Sequence, residues 1–233
     1  MRVMAAGLAA ALLGGAQGPS APLTSRPQAG RLEGNVILTR ELSARRPRFR
    51  LYSEHGGQAT PAAATADTVE YGNVVIYLDS VPWSGAAAPA GTMLRMRQVN
   101  EAFTPHVLPV LVGSTVQFPN DDPFFHNVFS LSSTRTFDLG RFPQGSSKGV
   151  TFERPGLVQV FCHIHSDMNG VILVRDNPYF VVPDDRGRFA IDGVPAGDYQ
   201  AVAWHERIRP VSTTVRIRDG ETTGIEFQIP LTP

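Results

Sequence analysis

The stretch LVQVFCHIHSDMNG, Leu157–Gly170, holds the chain's single cysteine, Cys162, two of its six histidines, His163 and His165, and Met168. It opens as a strand. Val158, Val160 and Cys162 share parity and face one side, while Gln159 faces the other. Cys162 therefore ends an apolar inward face. Beyond it the chain turns through HIHSDM and returns as GVILVRD, 170–176. A loop held between two strands is positioned by a rigid scaffold, which suits it to present ligands.

The rest of the chain has the same character. Strand-like runs recur at short intervals with turn residues between them, as in LEGNVILT (32–39), GNVVIYLDS (72–80), FFHNVFSLS (124–132), VSTTVRI (211–217) and GIEFQI (224–229). In the last, Ile225, Phe227 and Ile229 alternate with Glu226 and Gln228, the pattern of a half-buried strand. No segment keeps a helical period over three turns. With 22 Gly, 19 Pro and 18% charged residues in 233, the composition suits a loop-rich all-β protein. The 21 basic and 21 acidic residues cancel, which argues against nucleic acid and against an anionic membrane surface as partners. Arg2 precedes the apolar run VMAAGLAAALLGGA, and AQG at 16–18 has the small residues of a cleavage site, so residues 1–18 read as a signal peptide. That run is too short to span a bilayer, so no stable membrane insertion is expected. Residues 19–31 read as a flexible leader, and the mature protein as exported, plausibly periplasmic. A lone cysteine in an exported chain has no internal disulfide partner, so it is inert, paired with another chain, or bound to something.

The ligand chemistry narrows this. A thiolate, two imidazoles and a weak axial thioether are the donors of a blue copper site. The spacing Cys162-x-x-His165-x-x-Met168 supplies three of the four. NDDPFFHNVFS, 120–130, offers His126 as the fourth, among Phe124, Phe125 and Phe129, which keep water away. Zinc is a weaker rival, since structural zinc takes more Cys or His and rarely Met. A dinuclear copper site would need a second cysteine. His163 should project opposite to Cys162, toward solvent or a partner. His55, His106 and His205 read as structural or exposed.

These segments resemble the cupredoxins, small blue copper proteins of the plastocyanin and amicyanin type that includes "methylamine utilization protein"-like chains. The matching residues are FTP (103–105), VGSTVQFPN (112–120), HNV (126–128), RPG (154–156) and VFCHIHSDMNGVILV (160–174), and the resemblance spans roughly residues 92–176. The short ligand loop is similar to that of amicyanins. The resemblance implies a Greek-key β-sandwich with copper on His126, Cys162, His165 and Met168. It also implies that Asn127 ties the two ligand loops together and shields the thiolate.

DDRGRFAIDGVPAGDYQAVAWHE, 184–206, resembles the carboxypeptidase regulatory-like, or transthyretin-like, β-sandwich, a stabilising or interaction module. The tail alone has few strands for such a sandwich, so residues 32–90 with 177–233 are expected to form it discontinuously, with the cupredoxin inserted. The alternative is a tandem of 32–176 and 177–233. The function expected is one-electron transfer through a single copper cycling between +1 and +2. By resemblance, the partner is a periplasmic dehydrogenase or cytochrome. No acid/base pair is visible, so no enzymatic activity is expected. Copper storage or delivery, or an interaction module with a vestigial copper site, are the alternatives.

Overall fold

The computed structural model describes residues 29–38, 70–85 and 93–229. The expected signal segment, most of the expected leader and His55 lie outside the described residues. Among the described residues no helix is long and apolar enough to cross a membrane.

The middle of the chain forms a two-sheet sandwich. Its strands are β3 (Leu94–Arg95), β4 (Arg97–Val99), β5 (Ala102–Thr104), β6 (Val107–Leu111), β7 (Thr115–Pro119), β8 (His126–Leu131), β9 (Thr136–Phe142), β10 (Ser147–Thr151), β11 (Gly156–Phe161) and β12 (Asn169–Arg175). One sheet has the order β6-β12-β11-β8-β9 and the other β10-β7-β3, while β4 and β5 form a separate hairpin. Period-two alternation puts Val116 and Phe118 of β7, Val158 and Val160 of β11, and Ile172 and Val174 of β12 into one core. Cys162 and Met168 belong to the same apolar cluster, so the expected ligand loop is capped onto the core rather than hung in solvent. Strand β9 was not expected. Phe137 and Leu139 alternate with Asp138 and Gly140, but Arg141 ends that short run, and among the described residues β9 pairs only on one side, with β8, at the edge of its sheet.

The ends of the chain form two further sheets. Strands β1 (Gly30–Leu38), β2 (Val75–Asp79), β13 (Phe180–Val181), β14 (Arg188–Val194), β15 (Gly197–Trp204), β16 (Val211–Ile217) and β17 (Thr222–Ile229) are arranged as β14-β1-β17 and β13-β2-β15-β16. A second core, with Leu32, Val36, Ile76, Leu78, Ile191, Ala203 and Phe227, lies among them. Strand β1 pairs in parallel with β17 over eight residues. Gly30 and Arg31, expected to end the flexible leader, are already strand: Gly30 pairs with Val194 and Arg31 with Thr222. Backbone pairing on both sides orders them although Arg31 contributes nothing to the core.

A third apolar layer joins these terminal sheets to the middle of the chain. Strand β12 is buried on both faces, with Ile172 and Val174 turned to the first core and Val171 and Leu173 turned to Val75 of β2 and Val107 of β6. Strand β2 divides likewise, Ile76 and Leu78 inward and Val75 and Tyr77 toward the seam. The continuous apolar runs VIYL and GVILV follow from this two-sided burial. At the rim, Arg175 lies 3.7 Å from the centre of the Tyr77 ring and pairs with Asp79 at 3.0 Å. Fully burying a Val or Leu stabilises by about 1.5–3 kcal/mol, and a surface ion pair by at most about 1 kcal/mol, so the aliphatic layer dominates the seam.

Candidate metal centre

Strand β8 brings His126 in at its first residue, and the β11–β12 loop brings Cys162 and His165. The ligand atoms of these three side chains all lie within 4.8 Å of one another. Cys162 Sγ is 3.8 Å from His126 Nδ1 and 3.8 Å from His165 Nδ1, and the two Nδ1 atoms are 3.1 Å apart. A point in the plane of these atoms about 2.0 Å from both nitrogens lies about 2.2 Å from the sulfur, which matches metal–imidazole and metal–thiolate bond lengths. The donor set therefore fits one metal ion.

The proton positions support the same reading. His126 is 0% exposed, and its Nε2 lies 2.7 Å from Asp122 Oδ2. A carboxylate only accepts, so Nε2 carries a proton, and Nδ1 is left facing Cys162 and His165. Two ring nitrogens and a sulfur meeting at this distance are satisfied by a shared proton or by a cation held between them.

The thiol is prepared to ionise. Burial opposes its ionisation, but the hydrogen bond to His126 and the backbone N–H groups of Asn127, His165 and Ile164 outweigh burial and bring Cys162 down to about 6. Burial likewise opposes protonation of His126, yet the neighbouring Cys162 and Asp122 raise its affinity for a proton, as they would for a metal cation.

The loop geometry is local. The Cys162 N–H donates to the Met168 carbonyl at 3.1 Å, and the Met168 N–H donates to the His165 carbonyl at 3.0 Å. These bonds close the seven residues into a compact turn. Met168 is buried in the same core cluster as Cys162. Asn127 Oδ1 accepts from the His163 N–H at 3.4 Å and its Nδ2 donates to Asp138 at 2.7 Å, so it links β8 to the ligand loop and to β9. Phe124 stands 5.3 Å from the His126 ring and 5.5 Å from the His165 ring, covering both. His163 is exposed and stacks flat on Phe129, with centroids 3.7 Å apart.

The sequence reading missed Asp122. It is buried, and it accepts the N–H groups of Asn100 at 2.6 Å and Glu101 at 2.9 Å. Those two residues have φ of 53° and 58° and form the tight turn between β4 and β5. The only signal was an acid four residues before His126, and Asp121 beside it offered the same carboxylate. In the structure Asp121 instead pairs with Arg97 at 2.6 Å, more than half of whose side chain is exposed.

No protein-family model matches this chain, and no curated protein matches it. Solved structures similar to it include a copper-containing nitrite reductase from Thermus scotoductus SA-01, 28% identical over 41% of this chain and 25% of the reductase, with a TM-score of 0.36. A purple cupredoxin from Nitrosopumilus maritimus is 24% identical over 35% of this chain and 96% of its own, with a TM-score of 0.32. A reduced amicyanin variant is 22% identical over 43% of this chain and 98% of its own, with a TM-score of 0.34. The alignment thus spans a quarter of the nitrite reductase and nearly all of the two smaller proteins.

Proposed function

We propose that residues 92–176 form a cupredoxin domain that holds one mononuclear copper ion, and that the protein is an exported one-electron carrier. The observation that supports this most is the convergence of His126 Nδ1, His165 Nδ1 and Cys162 Sγ in a buried triangle of ligand dimensions. Two imidazoles and a thiolate in a trigonal plane are the donors of blue copper sites, and Met168 is the side chain proposed for the weak axial position.

Copper bound there supplies a one-electron couple between its +1 and +2 states. The protein's part is to keep the donors from moving between those states. Asp122 holds the ring of His126 from behind, the backbone N–H groups of Asn127, Ile164 and His165 hold the thiolate, and the two bonds between Cys162, His165 and Met168 hold the loop. Phe124 keeps water off both imidazoles. His165 is only partly buried and follows Ile164, which is 39% exposed. It is the proposed electron port, with docking through apolar contact rather than long-range steering, in keeping with zero net charge. The partner we propose is a periplasmic redox protein, a dehydrogenase or cytochrome. Export rests on the signal-like residues 1–18. We assign no catalytic activity. The end segments are proposed to form one discontinuous carboxypeptidase regulatory-like sandwich into which the copper domain is inserted.

The test is the visible and electron-paramagnetic spectrum of the copper-loaded full chain, followed by redox titration. An intense thiolate-to-copper(II) charge-transfer band, bleached and restored reversibly by one electron, is expected. A colourless loaded protein would sink the proposal. A coloured protein that surrenders copper to a chelator on reduction would point to delivery instead.

A further inference from the structure

Outside the metal centre, the two sandwiches meet at a second polar cluster. His106 lies between β5 and β6. Its Nδ1 is 3.1 Å from the carbonyl of Asn169, the residue after Met168, and its Nε2 is 2.9 Å from Glu206 Oε1. A carbonyl and a carboxylate oxygen are both acceptors, so both ring nitrogens of His106 are donors and the ring is an imidazolium. The backbone of the same residue adds a third contact, its carbonyl accepting from the Val171 N–H at 2.8 Å. Residue 106 therefore grips the chain on both sides of Gly170, where the loop becomes β12. Gly170 is itself confined: a Cβ there would stand 3.1 Å from the His106 carbonyl oxygen and 3.1 Å from Phe103 Cβ.

Glu206 is held from the other side. It lies in the β15–β16 connection between His205 and Arg207, and both neighbours are tied to Glu70. His205 Nε2 is 3.1 Å from Glu70 Oε2, and Arg207 Nη1 is 3.0 Å from Glu70 Oε1. His205 is fully buried, and its Nδ1 accepts the Arg207 N–H at 3.2 Å. The connection carrying Glu206 is thus anchored in its own sandwich before it reaches across the seam.

We propose that the second sandwich braces the outgoing end of the ligand loop through the Glu206–His106–Asn169 bridge, making His106 a positioning residue for Met168. For its consequence at the metal, this rests on the copper reading above. It gives the second sandwich a role in the site that neither the ligands nor their immediate neighbours supply. The axial donor is where a small displacement matters most, because a long, weak bond tunes the redox potential.

The experiment is amide hydrogen exchange across residues 163–171 in the copper-free full chain, comparing wild type, Glu206→Gln and Asp198→Asn. Asp198 pairs with Arg216 on the same β15–β16 unit, at 2.7 Å and more than half exposed, and serves as the control. Faster exchange of the loop by about tenfold in Glu206→Gln, the scale of one lost charge-assisted hydrogen bond, with the control within about twofold of wild type, is the expected result. Unchanged exchange in Glu206→Gln overturns the proposal. Equal acceleration in both variants also overturns it, since that is general loosening. In the copper-loaded protein, Glu206→Gln should alter the charge-transfer spectrum and shift the midpoint potential, and a spectrum and potential identical to wild type would sink the positioning role. If wild type shows no such spectrum, the copper reading fails while the exchange result still decides the brace.

Discussion

Among the described residues two histidines are fully buried, each with Nε2 facing a carboxylate: His126 with Asp122 at 2.7 Å, and His205 with Glu70 at 3.1 Å. Burial and the acidic partner are shared, so neither distinguishes a ligand from a structural residue. The difference lies at the other nitrogen. His205 Nδ1 accepts a backbone N–H from Arg207 and has no lone pair left to offer. His126 Nδ1 faces a second imidazole and a thiolate. A buried histidine becomes a candidate ligand when its remaining lone pair converges with others, and a structural residue when the backbone occupies it.

The largest contrast comes from removing the groups that make the two sites differ. Cys162→Ala should abolish the charge-transfer band outright, and His126→Ala should do the same, both read in the copper-loaded spectrum. His205→Ala should retain that band while lowering the unfolding free energy by about 3 kcal/mol, the low end for breaking a buried pair, because Arg207 still neutralises Glu70. Urea unfolding of the copper-free protein checks it. A blue His126→Ala protein would break the comparison.

The partners of the two histidines should separate next. Asp122→Asn keeps the shape but replaces an acceptor-only group, so it weakens the hold on the His126 proton and the donor strength of the ring. Copper affinity is expected to fall by about 10- to 100-fold, measured by competition with a chelator. The carboxylate of Glu70 touches none of the candidate ligands and acts first on folding. Burial opposes its ionisation, but hydrogen bonds from His205 and Asn73 and the charge of Arg207 hold it below the ordinary value of 4.5. Its stabilising share is present above that value and lost as the pH falls through the lower folded one. Glu70→Gln should therefore flatten the acid limb of the stability curve while the charge-transfer band is retained.

The smallest effect belongs to the seam. The hydrogen bond to Glu206 outweighs burial and raises His106 above 6.5, with Glu70 adding at longer range, and the same bond lowers Glu206 below 4.5. The histidine's contribution is complete below 6.5 and disappears as the pH climbs through its raised value. That of Glu206 is complete above 4.5 and disappears as the pH falls through its lowered value. The charged groups around the bridge are Glu206, Glu70, His205 and Arg207. Protection of the loop amides at 163–171, relative to their intrinsic exchange at each pH, should be greatest between those two values, by at most about tenfold.

What could be read from the sequence was local. Cys162, His165 and Met168 fall in one turn between two strands, and the alternation of Val158, Val160 and Cys162 already sets which way the sulfur points. His126 could be named from its HNV segment and the phenylalanines near it in sequence, but of those expected to keep water away only Phe124 packs on its ring, while Phe125 is exposed and Phe129 stacks on His163. Asp122 could not be told from Asp121, because which of two adjacent acids turns inward depends on the path of NDDPFFH beneath the β4–β5 turn. The edge strand β9 was hidden because its alternation is only Phe137 and Leu139 before Gly140 and Arg141 break it, too short a run to mark a strand.

By itself the sequence determined an all-β chain, a compact Cys–His–Met loop and the neutral, cysteine-poor composition around it, since alternation, spacing and residue type act over a few neighbouring residues. The tertiary structure alone decided that His126 and His165 come within 3.1 Å of each other, that Asp122 and not Asp121 holds the first of them, and that β12 is clasped on both faces. It also decided that His106 and Glu206, a hundred residues apart, meet beside the ligand loop. Such contacts are set by how whole sheets pack, and an apolar run buried on two faces carries no mark of which layer each face will meet.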